Sequence, residues 1–380
     1  MHAICTVVGA RPNFMKAAPI HEAFASAGVT HEIIHTGQHF DHAMSRVFFE
    51  ELRMPEPSAY LGVGSGTHAE QTARVMLELD RVFDARPPRA CIVVGDVNST
   101  MAAALVASKR RIPVVHVEAG LRSFDREMPE ELNRVVTDAL ADLLLTPSPD
   151  ADENLKREGI ASWRIRRVGN VMIDSLQRHL AQARQVKLAS TLGLSPNHFA
   201  LCTLHRPSNV DDAPTLSSTV DALAELSRHV PIVLPLHPRT RARLDQFDLT
   251  KRAGGQVMFT QPFGYLEFLS LMSDAQLILT DSGGIQEEST ALGIPCLTLR
   301  NTTERPITVS EGTNTIVGNN PGRILAGAEE ILAGRGKRGR IPGLWDGHAA
   351  ERIRDAVLEM LSAPHVHLPE VSQSGHGSLS

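Results

Sequence analysis

Short runs rich in Val, Ile and Leu alternate with helical patterns along the chain, and each run ends in a glycine or polar turn. Runs that are apolar at consecutive positions, not at every second one, mark strands buried on both faces, as in a parallel sheet covered by helices on both sides. The pattern predicts an α/β fold. Strand ends fall near Val8, Thr36, Val94, Val117, Thr146 and Val168, and a second series ends near Leu204, Leu236, Thr260, Thr280, Leu299 and Val317. Two similar sets predict two Rossmann-like, doubly wound domains with a cleft between them, in keeping with a length of 380 residues. The helical segment from Leu176 to Leu192, followed by Gly193 and Pro196, reads as the joint. The first domain is therefore expected over 1–170 and the second over 171–348. After the amphipathic stretch from Ala349 to Leu361, residues 364–380 form a polar tail, expected to be mobile, in which His365 and His367 are solvated.

Composition removes several function classes. Lys and Arg total 38 against 43 Asp and Glu, a net charge of -5, which is unlike a nucleic-acid-coating protein. Aromatic residues make up 4%, too few for a base-stacking strip, so no nucleic-acid partner is expected. No apolar stretch approaches 18 residues and the Met1–Gly9 segment has no basic n-region, so neither a membrane span nor a signal peptide is expected. Cys5, Cys91, Cys202 and Cys296 lie far apart in apolar runs, which fits reduced core thiols in a cytoplasmic protein better than a zinc site or disulfide framework.

Ligands of open α/β sheets bind beyond the carboxyl ends of the strands, so the polar residues that follow each strand carry the functional signal. After the first strand, Gly9-Ala10-Arg11-Pro12-Asn13-Phe14-Met15-Lys16 places Arg11 and Lys16 in a loop and first helical turn, where an anion is the natural partner. The glycine spacing is not that of a P-loop. After the strand ending at Thr280, Asp281-Ser282-Gly283-Gly284 turns into a helix with unobstructed backbone N–H groups suited to a diphosphate, and Glu288 further on is placed to accept ribose hydroxyls. Gly283 and Gly284 serving only the turn, and Glu287 and Glu288 only complementing the helix dipole, are the plainer alternatives.

Carboxylates follow other strands: Asp96, Glu118, and Glu130 and Glu131 after Pro129. Several carboxylates in one cleft push their pKa values apart, which suits one group removing a proton while another supplies one. Glu130 also has a purely structural reading, as a first-turn charge paired at i,i+4 with Arg134. His205-Arg206 and His237-Pro238-Arg239 each follow a strand, and two such histidines beside arginines read as phosphate ligands or a proton donor. No metal-ligand spacing accompanies them, so no metal is expected. Thr302-Thr303-Glu304-Arg305-Pro306 adds a further cation.

Taken together, Gly9-Ala10-Arg11-Pro12, Gly37-Gln38-His39, Gly95-Asp96, Glu118-Ala119-Gly120-Leu121-Arg122, Pro129-Glu130-Glu131 with Asn133-Arg134, His205-Arg206, Asp281 to Glu288 and Thr303 to Pro306 resemble the non-hydrolysing UDP-N-acetylglucosamine 2-epimerases over about residues 1–320. The resemblance implies a glycosyltransferase-B-like pair of domains, a C-terminal helix at about 349–362 packing back on the first, a homodimer, and interconversion of UDP-GlcNAc and UDP-ManNAc. It makes Asp96, Glu118, Glu130 and His205 the catalytic candidates. Substrate binding falls to Arg11, Lys16, Arg134, His237, Ser282, Gly283, Gly284 and Arg305, with Glu288 on the ribose and Phe268 on the uracil, although Phe268 also reads as plain helix core.

The residue types fit the implied chemistry. The C2 hydrogen of a hexosamine is not adjacent to a carbonyl, so direct deprotonation gives an unstabilised carbanion, whereas loss of UDP from C1 with the C2 proton gives a 2-acetamidoglucal. Re-addition of UDP with protonation of the opposite face requires an acid and a base but no nicotinamide, and no cofactor is expected. The segment from Gly120 to Phe124 also resembles relatives acting on UDP-2,3-diacetamido-glucuronic acid. A hydrolysing epimerase, a glycosyltransferase of the same fold and a catalytically silent sugar-nucleotide binder are the rival readings, and fold alone does not choose among them.

Overall fold

The computed structural model describes residues 3–38, 54–254 and 256–363, the Arg11 side chain excepted. His39 and the tail 364–380, with His365 and His367, lie outside the described residues.

The strands form two all-parallel sheets. The first contains β1 (Ile4–Val8), β2 (His31–His35), β3 (Ala59–Tyr60), β4 (Ala90–Val94), β5 (Val114–Val117), β6 (Leu143–Thr146) and β7 (Ile165–Arg167), in the order β3-β2-β1-β4-β5-β6-β7. The second contains β8 (Ala200–Thr203), β9 (Ile232–Pro235), β10 (Val257–Thr260), β11 (Leu277–Thr280), β12 (Cys296–Thr298) and β13 (Asn314–Ile316), in the order β10-β9-β8-β11-β12-β13. Both are doubly wound, and their strand order reverses between β1 and β4 and between β8 and β11. At such a switch point successive connections depart to opposite faces and leave a crevice beyond the strand ends.

The central strands are apolar because both faces are covered: every residue of β1, β4, β5, β6 and β11 is buried. The expected twelve strand ends all coincide with observed strands; β3, two residues long at the sheet edge, was the one without an apolar run to announce it. The expected joint differs in its limits. One helix spans Val171–Val186 and a short second one Leu188–Thr191, broken at Lys187, whose φ of 51° lies in the left-handed region. Met172 and Leu176 of the longer helix share one core cluster with Phe14, Met15 and Ile33 of the first domain and with Phe199, Leu201 and Leu269 of the second, so it touches both sheets' layers.

The C-terminal helix Ala349–Ser362 shares a core cluster with Ile4, Ile20 and Phe24 through Ile353 and Val357. Its start is fixed by Asp174, whose carboxylate accepts from the backbone N–H of Ala349 (3.2 Å) and of Ala350 (2.7 Å), meeting two donors that a helix end leaves unsatisfied. Trp345, buried just before it, donates from Nε1 to the Pro147 carbonyl at 3.0 Å.

Two glycines hold the strand-end loops close. A Cβ on Gly9 would run into the side chain of Ser99, and one on Gly120 into the Ala151 carbonyl, at a φ of +81° that L-residues rarely adopt. Gly120→Ala is expected to lower unfolding stability by about 2–4 kcal/mol, because left-handed strain adds to a backbone clash. Denaturant unfolding checks this, and an unchanged midpoint would contradict it.

Candidate functional site across the cleft

At the first switch point, Asn13 ties two strand ends together. Its Oδ1 accepts from the N–H groups of Gly9 and Ala10, both at 3.1 Å, and its Nδ2 donates to the Val94 carbonyl at 2.9 Å. Beyond β4 the chain passes through Gly95, with φ of 70°, into Asp96. Beyond β5 it reaches Glu118, a non-glycine residue at φ 72°. A long side chain in that region is uncommon and persists only where surrounding contacts over-determine it.

The Leu145 carbonyl accepts from the N–H groups of Glu118 and Ala119, at 3.0 and 3.1 Å, and ionic contacts hold the side chain. Glu118 Oε2 pairs with Lys16 Nζ, and Glu118 Oε1 accepts from Arg305 Nη2 at 2.5 Å, so one carboxylate bridges a cation from each domain. Arg305 Nε also donates to Glu287 Oε1 at 3.1 Å. Beside this group Arg134 donates from Nη2 to Asp96 Oδ2 at 2.5 Å and from Nη1 to Glu131 Oε2 at 2.9 Å. All of these side chains except Asp96, which is partly exposed, are at least nine-tenths buried.

Charges so placed alter one another. Burial acts to raise the Asp96 carboxyl, but Arg134, Arg305 and Lys16 together hold it below the ordinary carboxylate range. Burial pushes Lys16 down to about 8, despite the neighbouring Glu287 and Asp96 carboxylates. Asp96 is thus ionised at neutral pH and a weaker base than an unpaired carboxylate until its cations are drawn to a ligand, and Lys16 is a cation whose charge a bound anion would reinforce.

The second switch point supplies a histidine and a helix start. Asp281, wholly buried after β11, accepts from His205 Nδ1 (2.8 Å), from the His205 N–H (2.9 Å), from the Arg206 N–H (2.9 Å) and from Asn209 Nδ2 (3.2 Å). Burial works to raise its carboxyl, yet the His205 and Arg206 donors hold it low. The arrangement orients the imidazole through its Nδ1–H and leaves Nε2 free to gain or release a proton. The His237 ring lies 5.9 Å from that of His205, and its side chain accepts from the Arg239 N–H at 3.2 Å.

Ser282 precedes the helix Gly283–Leu292, and no neighbouring atom lies within 4 Å of the place a Cβ would take on Gly284. The first backbone N–H groups of a helix are open donors for an anion. One and a half turns on, Glu288 accepts from the Tyr265 hydroxyl at 3.2 Å, and burial pushes its carboxyl up to about 7. Phe268, on the helix Tyr265–Asp274, is only partly buried against the cluster that contains Leu269 and Met272.

An acid whose folded pKa is raised binds its proton more tightly in the native state, so its stabilising contribution is complete at low pH and is lost as pH rises through about 7. The stability of the ligand-free wild type relative to Glu288→Gln should therefore fall between about pH 5 and about pH 8. Thermal melts across that range test it; a constant difference would contradict the raised carboxyl.

Several expectations need restating. Arg134, grouped with the substrate-binding residues, directs its guanidinium to Asp96 and Glu131. The i,i+4 pair of Glu130 with Arg134 is replaced by an i,i+3 pair of Arg134 with Glu131, while Glu130 stands partly exposed in the first turn of the helix Pro129–Leu140. Arg11 begins the helix Arg11–Ser26 at the cleft, its side chain lying outside the description. Glu131, Glu287, Asp281 and Tyr265 were not singled out for the contacts they make. Only the Glu131 to Arg134 spacing carried a local signal, since the other partners are far apart in sequence. Among the described residues no group of three or more His, Cys, Asp or Glu is arranged to hold a metal ion, and no helix is long and apolar enough to cross a membrane.

Two Rossmann-like domains facing each other across such a cleft define a glycosyltransferase-B-like α/β protein. The chain belongs to the UDP-N-acetylglucosamine 2-epimerase family, whose model matches residues 21–358, and its reaction class is isomerisation. It is 42% identical over 354 residues to the UDP-N-acetylglucosamine 2-epimerase of Methanocaldococcus jannaschii, spanning 91% of this chain and 96% of the relative. It is equally 42% identical, over 366 residues, to the UDP-2,3-diacetamido-2,3-dideoxy-D-glucuronate 2-epimerase of Pseudomonas aeruginosa, spanning 94% and 99%. The crystal structure of the Methanocaldococcus jannaschii UDP-GlcNAc 2-epimerase in complex with UDP-GlcNAc and UDP matches with a TM-score of 0.87 at 41% identity, covering 94% of this chain and 99% of that one.

Proposed function

We propose that the protein interconverts UDP-GlcNAc and UDP-ManNAc by eliminating UDP and adding it back. The observation that carries this reading is the cluster formed by Asp96, Glu118, Lys16 and Arg305, in which carboxylates suited to proton transfer meet cations from both domains suited to a diphosphate. The N–H groups at Ser282, Gly283 and Gly284, with Arg305, Lys16, Arg11 and His237, would face the diphosphate, Glu288 the ribose and Phe268 the uracil. Expelling UDP places negative charge on the diphosphate as the C1–O bond breaks, so preorganised cations and amides there lower the barrier. The C2 proton passes to a carboxylate of the Asp96, Glu118 and Glu130 set, and the resulting 2-acetamidoglucal takes a proton on the other face as UDP re-adds, with His205 available as acid or phosphate ligand. Incubating the protein with UDP-GlcNAc alone and resolving the products tests the reading: intact UDP-ManNAc supports it, whereas UDP with free N-acetylmannosamine marks a hydrolysing enzyme.

A second reading keeps the reaction and changes the sugar. The likeness to the Pseudomonas aeruginosa relative, with the Gly120 to Phe124 segment, favours a UDP-2,3-diacetamido sugar acid. Comparing kcat/KM on the two substrates decides between them.

We further propose a division near residue 170, with the C-terminal helix belonging to the first domain, and a homodimer in the cytoplasm. Four buried, unpaired cysteines fit a reducing compartment. Leu77, Leu132 and Val135 stand exposed on helices of the first domain, as an interface with a second copy would require. Light scattering should give twice the chain mass, and Leu132→Lys with Val135→Lys should reduce it to one; a monomeric wild type would contradict the dimer.

A further inference from the structure

Behind the carboxylate turns lies a buried charged set that the reaction scheme does not use. His116, the third residue of β5, is wholly buried. Its Nδ1 lies 2.5 Å from Asp138 Oδ1 and its Nε2 lies 2.8 Å from the Gly95 carbonyl oxygen. A carbonyl oxygen only accepts. Asp138 is an acceptor as well, because the ion pair of its other oxygen with the Arg122 guanidinium at 2.7 Å favours the ionised carboxylate, and that oxygen also takes the Gly120 N–H at 3.1 Å. Burial acts to raise the Asp138 carboxyl, and His116 and Arg122 beside it hold it below the ordinary carboxylate range. Both ring nitrogens therefore face acceptors, which a neutral imidazole, with one N–H and one lone pair, leaves half unsatisfied. Arg122 in turn is held by Glu158 through Nε (2.7 Å) and Nη2 (2.6 Å). Two cations and two carboxylates then sum to zero, the condition under which buried ions are tolerated.

We infer that His116 is a fixed imidazolium and a positioning residue for the proton transfers. Its Nε2–H holds the carbonyl one residue before Asp96, while its counter-ion Asp138 holds the amide two residues after Glu118. One ion pair thus clamps the two turns that carry these carboxylates, each of which contains a left-handed residue, Gly95 or Glu118. The positioning role rests on the proposed reading of Asp96 and Glu118; the charge of the ring does not.

The test uses the full-length protein labelled with 15N-histidine. At about pH 8.5, where a free histidine is neutral, the wild type should show a ring with both nitrogens protonated and slow to exchange, absent from the spectrum of His116→Gln. No exchange-protected, doubly protonated ring in the wild type would overturn the inference, whether or not the variant folds and whether or not the enzyme epimerises UDP-GlcNAc. In folded His116→Gln, turnover should fall roughly 10- to 100-fold with UDP affinity unchanged, the signature of misplaced reacting groups. Wild-type turnover in that variant would equally overturn the positioning role, while a wild type that binds UDP-GlcNAc without epimerising it would overturn the functional reading and leave the ring measurement intact.

Discussion

Asp96→Asn and Glu118→Gln should each lower turnover by roughly 10²- to 10⁴-fold, the range for losing a positioned acid or base, while UDP still binds. The two variants differ in what else they change. Asp96 is held ionised by Arg134, Arg305 and Lys16, so its amide isostere keeps the shape and removes the proton acceptor. Glu118 pairs with Lys16 and Arg305, the same cations proposed to face the diphosphate. Its amide no longer competes for them, so UDP should bind Glu118→Gln as tightly as the wild type or more tightly. Single-turnover kinetics and UDP titration separate the two effects. Near-wild-type turnover in both variants would make these carboxylates structural.

Arg305→Ala should have the larger effect on binding. The guanidinium is buried between Glu118 and Glu287, one carboxylate from each domain, and it sits beside the Gly283 backbone at the helix start. Removing it deletes charge-assisted donors to the diphosphate, worth about 1.5–3 kcal/mol each, so UDP affinity should fall by roughly 10²-fold or more. It also leaves two carboxylates without their shared partner, and breaking one member of a buried ionic group costs about 3–5 kcal/mol of stability. Arg305→Lys should rescue stability better than affinity, because an ammonium cannot present a planar fork to two acceptors. Calorimetric titration with UDP alongside denaturant unfolding checks both; unchanged affinity would remove Arg305 from the diphosphate site.

The strands were legible because parallel strands buried on both faces read as unbroken apolar runs. Ala90–Val94 and Val114–Val117 stand out in the sequence for that reason, and the partly exposed pair Ala59–Tyr60 does not. Strand ends in turn located Asp96, Glu118, His205 and Ser282, since topology alone brings those positions to the cleft. Partners were not legible. Arg305 and Glu118 are 187 residues apart, and nothing local to either shows that they meet. Arg134 had a local choice between Glu130 and Glu131, and the helix took the i,i+3 partner because Glu131 also receives Ser123 and Phe124 backbone N–H groups. The joint helix began earlier and ended sooner than its apolar pattern implied, because the break at Lys187 depends on a left-handed conformation that lysine does not advertise.

Epimerisation by the proposed reversible loss of UDP requires the C2 proton to exchange with solvent. Running the reaction on UDP-GlcNAc in D2O, without added nicotinamide, and analysing the product by mass and proton NMR tests it directly. Deuterium at C2 of UDP-ManNAc, with the nucleotide intact, is the predicted result. Product that keeps all its C2 protium would contradict it.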